Sequence, residues 1–367
     1  MATGVPGRRR LPAFLTNGYT KAYALVIGLA IACAAIVQAS LPQVPTPPPV
    51  DTALLSPPRP RVTGSLKLPP PAQLKVDFRK LPPADRDDMS EVVDGQRLPK
   101  ISGTGWMPWI AYSRRFDPAG PAARVGLLVI NLGADDALTN RAIEELPGEI
   151  SLAFLPGTAD LPQWLQRARD RGHEVYLMLP IEDPSGPAER GIRPIEGSAD
   201  GSENLQRLRA AMARGEGYVG FVVPSPSVVS RSDLIARPLM KELADRGLAL
   251  VEINPGAVSA MYRLTVELGM GYARSSTVLD YKLAGQGSVD GNLERLVDWA
   301  SERTSEKAAR HDFGVLQPDN AAIDAIVAWR QRLARQSAVS LVPIIGHFEC
   351  REACLARLRQ QPAQLKP

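Results

Sequence analysis

The chain has 367 residues, a formal net charge of +4 and a hydrophobic fraction of 44%. This composition excludes collagen-like and acidic disordered chains, and the length leaves room for one domain of roughly 200–250 residues with additional segments. The charge is small, and the body of the chain has no cluster of Lys and Arg interleaved with aromatic residues, which argues against a nucleic-acid partner.

The amino-terminal segment combines positive charge with a hydrophobic run. Residues 8–10 are arginines, and residues 23–37 are apolar. Extended to residues 22–41, the run approaches the roughly 20 residues that span a membrane, and the preceding basic residues favour a cytoplasmic start of the chain. We predict a cytoplasmic basic tail (1–21) and a signal-anchor transmembrane helix (22–41) in the inner membrane. The body would then lie in the periplasm or outside the cell.

Two further features bear on export. The sequence Val37-Gln38-Ala39 resembles a cleavage site for a signal peptide, so a protein that is secreted after cleavage is the alternative to the anchor. Residues 42–120 are rich in proline, with motifs such as SPPRP and KLPPP. Because polyproline II chains are extended, at about 3.1 Å per residue, we predict a linker that holds the following domain away from a surface.

Residues 121–346 alternate between apolar runs and amphipathic helical segments. The first run, RVGLLVINLG, is rich in Val, Ile and Leu and is typical of a strand buried on both faces. The predicted strands are 126–132, 149–155, 174–179, 218–223, 248–253, one near Tyr272, 313–316 and 339–345. The predicted helices are 136–146, 163–171, 203–214, 233–246, 257–268, 292–309 and 321–335.

Strict alternation of strands and helices implies parallel strands joined by right-handed crossovers. We therefore predict an α/β fold, a distorted (β/α) barrel of about seven to eight parallel strands, with an open doubly wound sheet as the second choice. Gly172 and Gly247 each follow a helix and precede a strand, where a left-handed residue commonly ends the helix. Residues 347–367 are predicted to form a carboxyl-terminal tail.

Four segments carry a resemblance to a known family. They are RVGLLVINLG, LPGEISLAFLPGTADLPQWLQRARDRGHEVYLMLPIE, ENLQRLRAAMARGEGYVGFVV and RPLMKELADRGLALVEI. In order and spacing they resemble the divergent polysaccharide deacetylase family. The resemblance implies an exported, membrane-tethered barrel related to carbohydrate metabolism. It also implies a divalent metal, held by carboxylate and imidazole ligands, that activates a water to remove N-acetyl groups.

The resemblance also indicates which positions carry that chemistry, and here they hold other residue types. Asn131 and Leu132 stand where the family has an aspartate pair that supplies the base and a metal ligand. Met178 and Pro224 stand in place of histidines, and Gln317 lies near the place of the histidine that acts as the acid. These replacements predict a pseudoenzyme without metal or other cofactor.

Carboxylates elsewhere could bind a ligand. Glu182 and Asp280 match family positions, and Glu252 stands where aspartate is frequent. Asp135 and Asp136 follow the lost pair; we favour a helix N-cap for them over an out-of-register replacement. Under the alternative hypothesis, these acids form a relocated hydrolase site that uses zinc or another divalent metal.

The three histidines offer little support for a metal site. His173 precedes a strand, where a structural, hydrogen-bonded role is favoured, and His311 is expected to be exposed. His347 with Cys350 and Cys354 could supply zinc ligands, but the spacing lacks the paired pattern of specific zinc motifs. A disulfide or two unbonded thiols rank above a metal there.

Two hypotheses follow from the sequence. The first is a catalytically inactive barrel, tethered to the membrane, that binds a cell-envelope glycan or a membrane or periplasmic protein. The second is an active deacetylase of an N-acetylated polysaccharide with a relocated site. We favour the first, because loss of general acid–base groups alone costs about 10²–10⁴-fold in rate.

Overall fold

The computed structural model describes most of the chain from residue 81 onward. The described residues are 81, 84, 86–116, 123–183, 191–254, 259–280, 288–302, 311–335 and 339–349. The predicted cytoplasmic tail (1–21) and transmembrane helix (22–41) lie outside these ranges, as do Cys350 and Cys354. Within them, no helix is both long enough and apolar enough to cross a membrane.

The described part begins with an antiparallel hairpin and a short helix. Strands β1 (Ser90–Val93) and β2 (Gln96–Pro99) pair antiparallel, and α1 (Pro108–Ala111) follows. Asp94 and Gly95 form the turn with φ of 50° and 77°, the left-handed backbone of a type I′ hairpin. The prediction of a linker through residue 120 missed this hairpin, because it gave more weight to the proline content than to the Asp-Gly turn signal.

Eight parallel strands then form a sheet that nearly closes into a barrel. The strands are β3 (Ala123–Leu132), β4 (Ser151–Phe154), β5 (Val175–Met178), β6 (Gly220–Pro224), β7 (Ala249–Ile253), β8 (Tyr272–Ser275), β9 (Thr277–Val278) and β10 (His311–Leu316). Their order in the sheet is β8-β7-β6-β5-β4-β3-β10-β9, and β11 (Val339–Leu341) pairs with the start of β3. The Ser275 hydroxyl donates to the carbonyl oxygen of Phe313, linking β8 to β10. The predicted barrel is confirmed.

Helices cover the outer face of the barrel. They are α2 (Asp136–Glu145), α3 (Leu161–Asp170), α4 (Gly201–Met212), α5 (Val228–Arg231), α6 (Asp233–Asp245), α7 (Ala260–Leu268), α8 (Val289–Ser301) and α9 (Asn320–Leu333). Gly172 and Gly247 have φ of 90° and 67°, so both adopt the left-handed backbone predicted for them. Because strand side chains alternate, Val129, Phe221 and Leu250 pack towards the helices in one buried cluster.

A second cluster fills the barrel interior, and the amino-terminal segment contributes to it. Leu128 and Tyr176 from the strands pack there with Trp106, Trp109 and other residues of the segment. Trp106 and Trp109 are only 7% and 5% exposed. The Trp109 amide donates to the carbonyl oxygen of Gly247, just before β7, at 3.1 Å. Residues 101–116 therefore close the amino-terminal end of the barrel, which corrects the predicted linker end at residue 120.

The buried carboxylate of Glu174 connects the amino-terminal segment and the turn after β11 to the amino-terminal end of the barrel. Glu174, fully buried, accepts hydrogen bonds from the Tyr176 hydroxyl at 2.6 Å and from the amides of Arg114 and Ile345 at 3.0 and 3.2 Å. Ile345 belongs to the 3-10 turn Ile344–His347. Burial raises the pKa of Glu174 to about 6. The turn and the amino-terminal segment thus share one acceptor inside the barrel.

Candidate functional site at the carboxyl end of the barrel

The end of β3 departs from regular strand geometry. The register with β4 shifts between Val129 and Leu132, and Asn131 has a φ of 59°. Asparagine tolerates this left-handed backbone better than most residues. As a result Ile130 packs towards the interior cluster, whereas Leu132, which regular alternation would also turn inward, packs in the helix-facing cluster.

The two positions that the resemblance matches to an aspartate pair differ in their surroundings. Asn131 is half-buried at the carboxyl end of β3. Leu132 is fully buried in the helix-facing cluster. A carboxylate at residue 132 would lie among apolar side chains, away from the opening at the carboxyl ends of the strands, which we call the mouth of the barrel.

The other replaced positions also lack metal-binding or acid–base groups. Met178 is 5% exposed and packs in the barrel interior with Val222. Pro224 ends β6 and is exposed. Gln317 is exposed after β10, and its backbone N–H donates to Asp280 Oδ2 at 2.9 Å. The structure thus brings Asp280 and Gln317 together, and the Asp280 carboxylate caps the end of β10.

The remaining predicted carboxylates do not gather at one place. Asp135 Oδ1 accepts the Leu138 amide at 2.9 Å, which confirms the predicted N-cap, and Asp136 begins α2. Glu182 Oε1 accepts the Gly197 amide at 3.0 Å within a loop. Glu252 lies on the helix-facing side of β7, where hydroxyl groups surround it. No observation in the described ranges favours a hydrolase site relocated to these residues.

The histidines lie away from the mouth or outside the described side chains. His173 is fully buried, with its ring nitrogens 2.8 and 3.1 Å from the carbonyl oxygens of Ile150 and Ile143. Burial lowers the pKa of His173. Its burial and the two backbone contacts of its ring confirm the predicted structural role. Inside the barrel, the ring centroid of His347 lies 5.6 Å from the ring centroid of Phe313. His311 begins β10, and its side chain is not among those that the structure describes.

The donor set does not fit the metal that the resemblance implies. Such a metal needs several carboxylate and imidazole ligands that converge on one point. Across the described ranges, no three His, Cys, Asp or Glu side chains are grouped so that they could hold a metal ion. No catalytic step is therefore assigned to a metal in this chain.

One further residue at the mouth was not predicted from the sequence. Asn254 follows β7, is exposed and has a φ of 54°. Its backbone N–H donates to the carbonyl oxygen of Ser275 at 2.6 Å. The signal was the Asn-Pro-Gly turn sequence directly after a buried strand. Asn131 and Asn254 thus end two strands of the barrel in the same left-handed conformation.

Two solved structures and one curated set of proteins were compared with this chain, and the first structure supports the fold. An uncharacterized protein from Agrobacterium tumefaciens C58 has a similar structure, with a TM-score of 0.59 and 22% identity over 68% of this chain and 99% of that chain. A proposed cellobiose-phosphate cleavage protein from Enterococcus faecalis V583 has a TM-score of 0.42 and 12% identity over 62% of this chain and 99% of that chain. No curated protein matches this chain at a significant level.

The family assignment rests on a sequence model. The model described as divergent polysaccharide deacetylase matches residues 128–345, which is more than half of the chain and spans the barrel from β3 to the final 3-10 turn. The Agrobacterium structure adds support for the fold alone. The chain belongs to the divergent polysaccharide deacetylase family, which relates it to carbohydrate deacetylation.

Proposed function

We propose that this chain is a glycan-binding protein of the cell envelope that has lost the metal-dependent hydrolysis implied by its family resemblance. The observation that carries the proposal is the end of β3, where Asn131 and an outward-turned Leu132 occupy the place of two carboxylates. Met178, Pro224 and Gln317 supply no imidazole or carboxylate in compensation. Without a base, metal ligands and an acid, hydrolysis of an amide has no chemical support here.

The mouth retains groups suited to sugars. Asn131, Asn254 and Gln317 each end or follow a strand of the barrel and carry neutral amides. An amide both donates and accepts hydrogen bonds, as do the hydroxyl and acetamido groups of an N-acetylated polysaccharide. This chemistry favours a neutral glycan, so a membrane or periplasmic protein partner becomes the competing outcome of the binding test.

The location of the protein is part of the proposal. Residues 22–41 would anchor it in the inner membrane, and the proline-rich segment would hold the barrel in the periplasm or outside. Mature protein in the membrane fraction with Arg8 to Arg10 intact would support the anchor. A new amino terminus near Ser40 would instead indicate secretion after cleavage.

Replacing the mouth asparagines by glycine is expected to weaken glycan binding without unfolding the protein. Glycine accepts a positive φ, so Asn131→Gly and Asn254→Gly remove only the amide. A neutral hydrogen bond contributes about 0.5–1.5 kcal/mol, so each variant should lower affinity by roughly 2–10-fold. Calorimetric titration of the full-length chain with N-acetylglucosamine oligomers measures this.

Asp94→Gly is the matched control, because Asp94 has the same left-handed backbone in the hairpin turn. It should bind the oligomers like the wild type. If the asparagine variants also bind like the wild type, the glycan lies elsewhere. If the wild type binds no oligomer but crosslinks to one membrane protein, the protein-partner hypothesis replaces this one.

A further inference from the structure

Glu252 is a buried carboxylate on the side of β7 that faces the helices. Its neighbours Val251 and Ile253 pack inside the barrel, so Glu252 points outward, and it is fully buried. Removing a carboxylate from water is unfavourable unless hydrogen-bond donors replace the water. The residues around Glu252 therefore have to supply donors.

Hydroxyl groups supply them. The Ser225 hydroxyl donates to Oε1 at 2.6 Å, and the Tyr272 hydroxyl donates to Oε2 at 2.6 Å. The Ser259 hydroxyl lies 2.7 Å from Oε1 and 2.9 Å from Oε2. Burial and the adjacent carboxylate raise the pKa of Tyr272, so its hydroxyl stays protonated and remains a donor.

These three donors belong to different segments of the chain. Ser225 directly follows β6, and its amide also donates to the carbonyl oxygen of Ile253 at 2.9 Å. Ser259 is the N-cap of α7, where its hydroxyl accepts the Met261 amide at 3.2 Å. Tyr272, in contrast, lies within β8. One carboxylate therefore holds the loop after β6 and the start of α7 against the sheet.

We propose that Glu252 is a positioning residue that couples the two segments on the β6–β7 side of the mouth. The consequence for binding rests on the function proposed above, because Pro224 and Asn254 lie next to these segments. If the hydroxyl of one serine is removed, the carboxylate stays buried with fewer hydrogen-bond donors, and its hydrogen bond to the other serine changes in strength. The loop after β6 and the start of α7 should therefore become more mobile together.

The test is a double-mutant cycle read by amide hydrogen exchange on the full-length chain. Ser225→Ala and Ser259→Ala should each speed exchange of the amides of residues 225–231 and 260–264 by about tenfold, with little change at β4. The effects of the two changes should be non-additive in the wild-type background and additive in Glu252→Gln, where the carboxylate is absent. Glu252→Gln keeps the size of the side chain and guards against simple unfolding.

Tyr272→Phe is the matched control, because it removes a donor to the same carboxylate from a strand rather than from a loop. It should speed exchange in residues 225–231 less than Ser225→Ala does. Additive effects in the wild type, or unchanged exchange in Glu252→Gln, would overturn the positioning role. Non-additive exchange without any glycan binding by the wild type would support the positioning role and overturn the proposed function.

Discussion

A chain shortened to begin at residue 121, the start of the barrel predicted from the sequence, is expected not to fold. The deletion removes four large side chains that are at most 7% exposed and that pack in the barrel interior: Trp106, Met107, Trp109 and Tyr112. Burial of each contributes about 1.5–3 kcal/mol, and their sum is comparable to the roughly 5–15 kcal/mol that stabilises a whole domain. Circular dichroism and chemical denaturation measure the outcome.

Two companion changes keep this prediction interpretable. A chain beginning at Leu81 retains the hairpin and α1 and should unfold cooperatively. Trp109→Ala in the full-length chain should cost about 3–5 kcal/mol, whereas Trp299→Ala, at a 41% exposed position on α8, should cost much less. A folded chain from residue 121 with wild-type stability would show that the segment does not belong to the barrel.

The stability of the protein should depend on the protonation of Glu174. Burial raises the folded-state pKa to about 6 from a usual value of 4.5, so the folded protein binds the proton more tightly than the unfolded chain does. The associated stability is present below about pH 4.5 and is lost as the pH rises through 6. At about 1.4 kcal/mol per pKa unit, the loss is about 2 kcal/mol.

The measurement is the difference in free energy of unfolding between the wild type and Glu174→Gln from pH 4 to pH 8. A difference is needed because the lowered pKa of His173 has the opposite effect and removes stability as the pH falls. Tyr176→Phe removes the 2.6 Å hydrogen bond to the carboxylate and should move the transition to higher pH. A difference that stays constant across the range would contradict this assignment of the pKa.

The barrel could be predicted from the sequence because its signals are local and repeated. Apolar runs such as the one that became β3 alternate with amphipathic helices, and residues such as Gly172 and Asp135 mark helix ends by their own chemistry. The family resemblance then indicated which residues lie at the mouth of the barrel. Fold and family were therefore within reach of one sequence.

The details of the site could not be predicted from the sequence. The bulge that turns Leu132 outward depends on the backbone of Asn131, and the hydrophobic pattern of the strand does not reveal it. The hydrogen-bond partners of Glu252 and Glu174 were beyond prediction for a different reason, since they lie up to 27 and 171 residues away in the chain. Such buried carboxylates are recognised only when long-range contacts are known.

The proposed loss of metal-dependent hydrolysis is tested most directly by one measurement on the purified full-length protein. Metal content is determined together with acetate release from N-acetylglucosamine oligomers in the presence of added zinc. We expect no stoichiometric metal and no acetate release above the uncatalysed rate. Stoichiometric metal with acetate release that follows the protein concentration would contradict the proposed loss of activity.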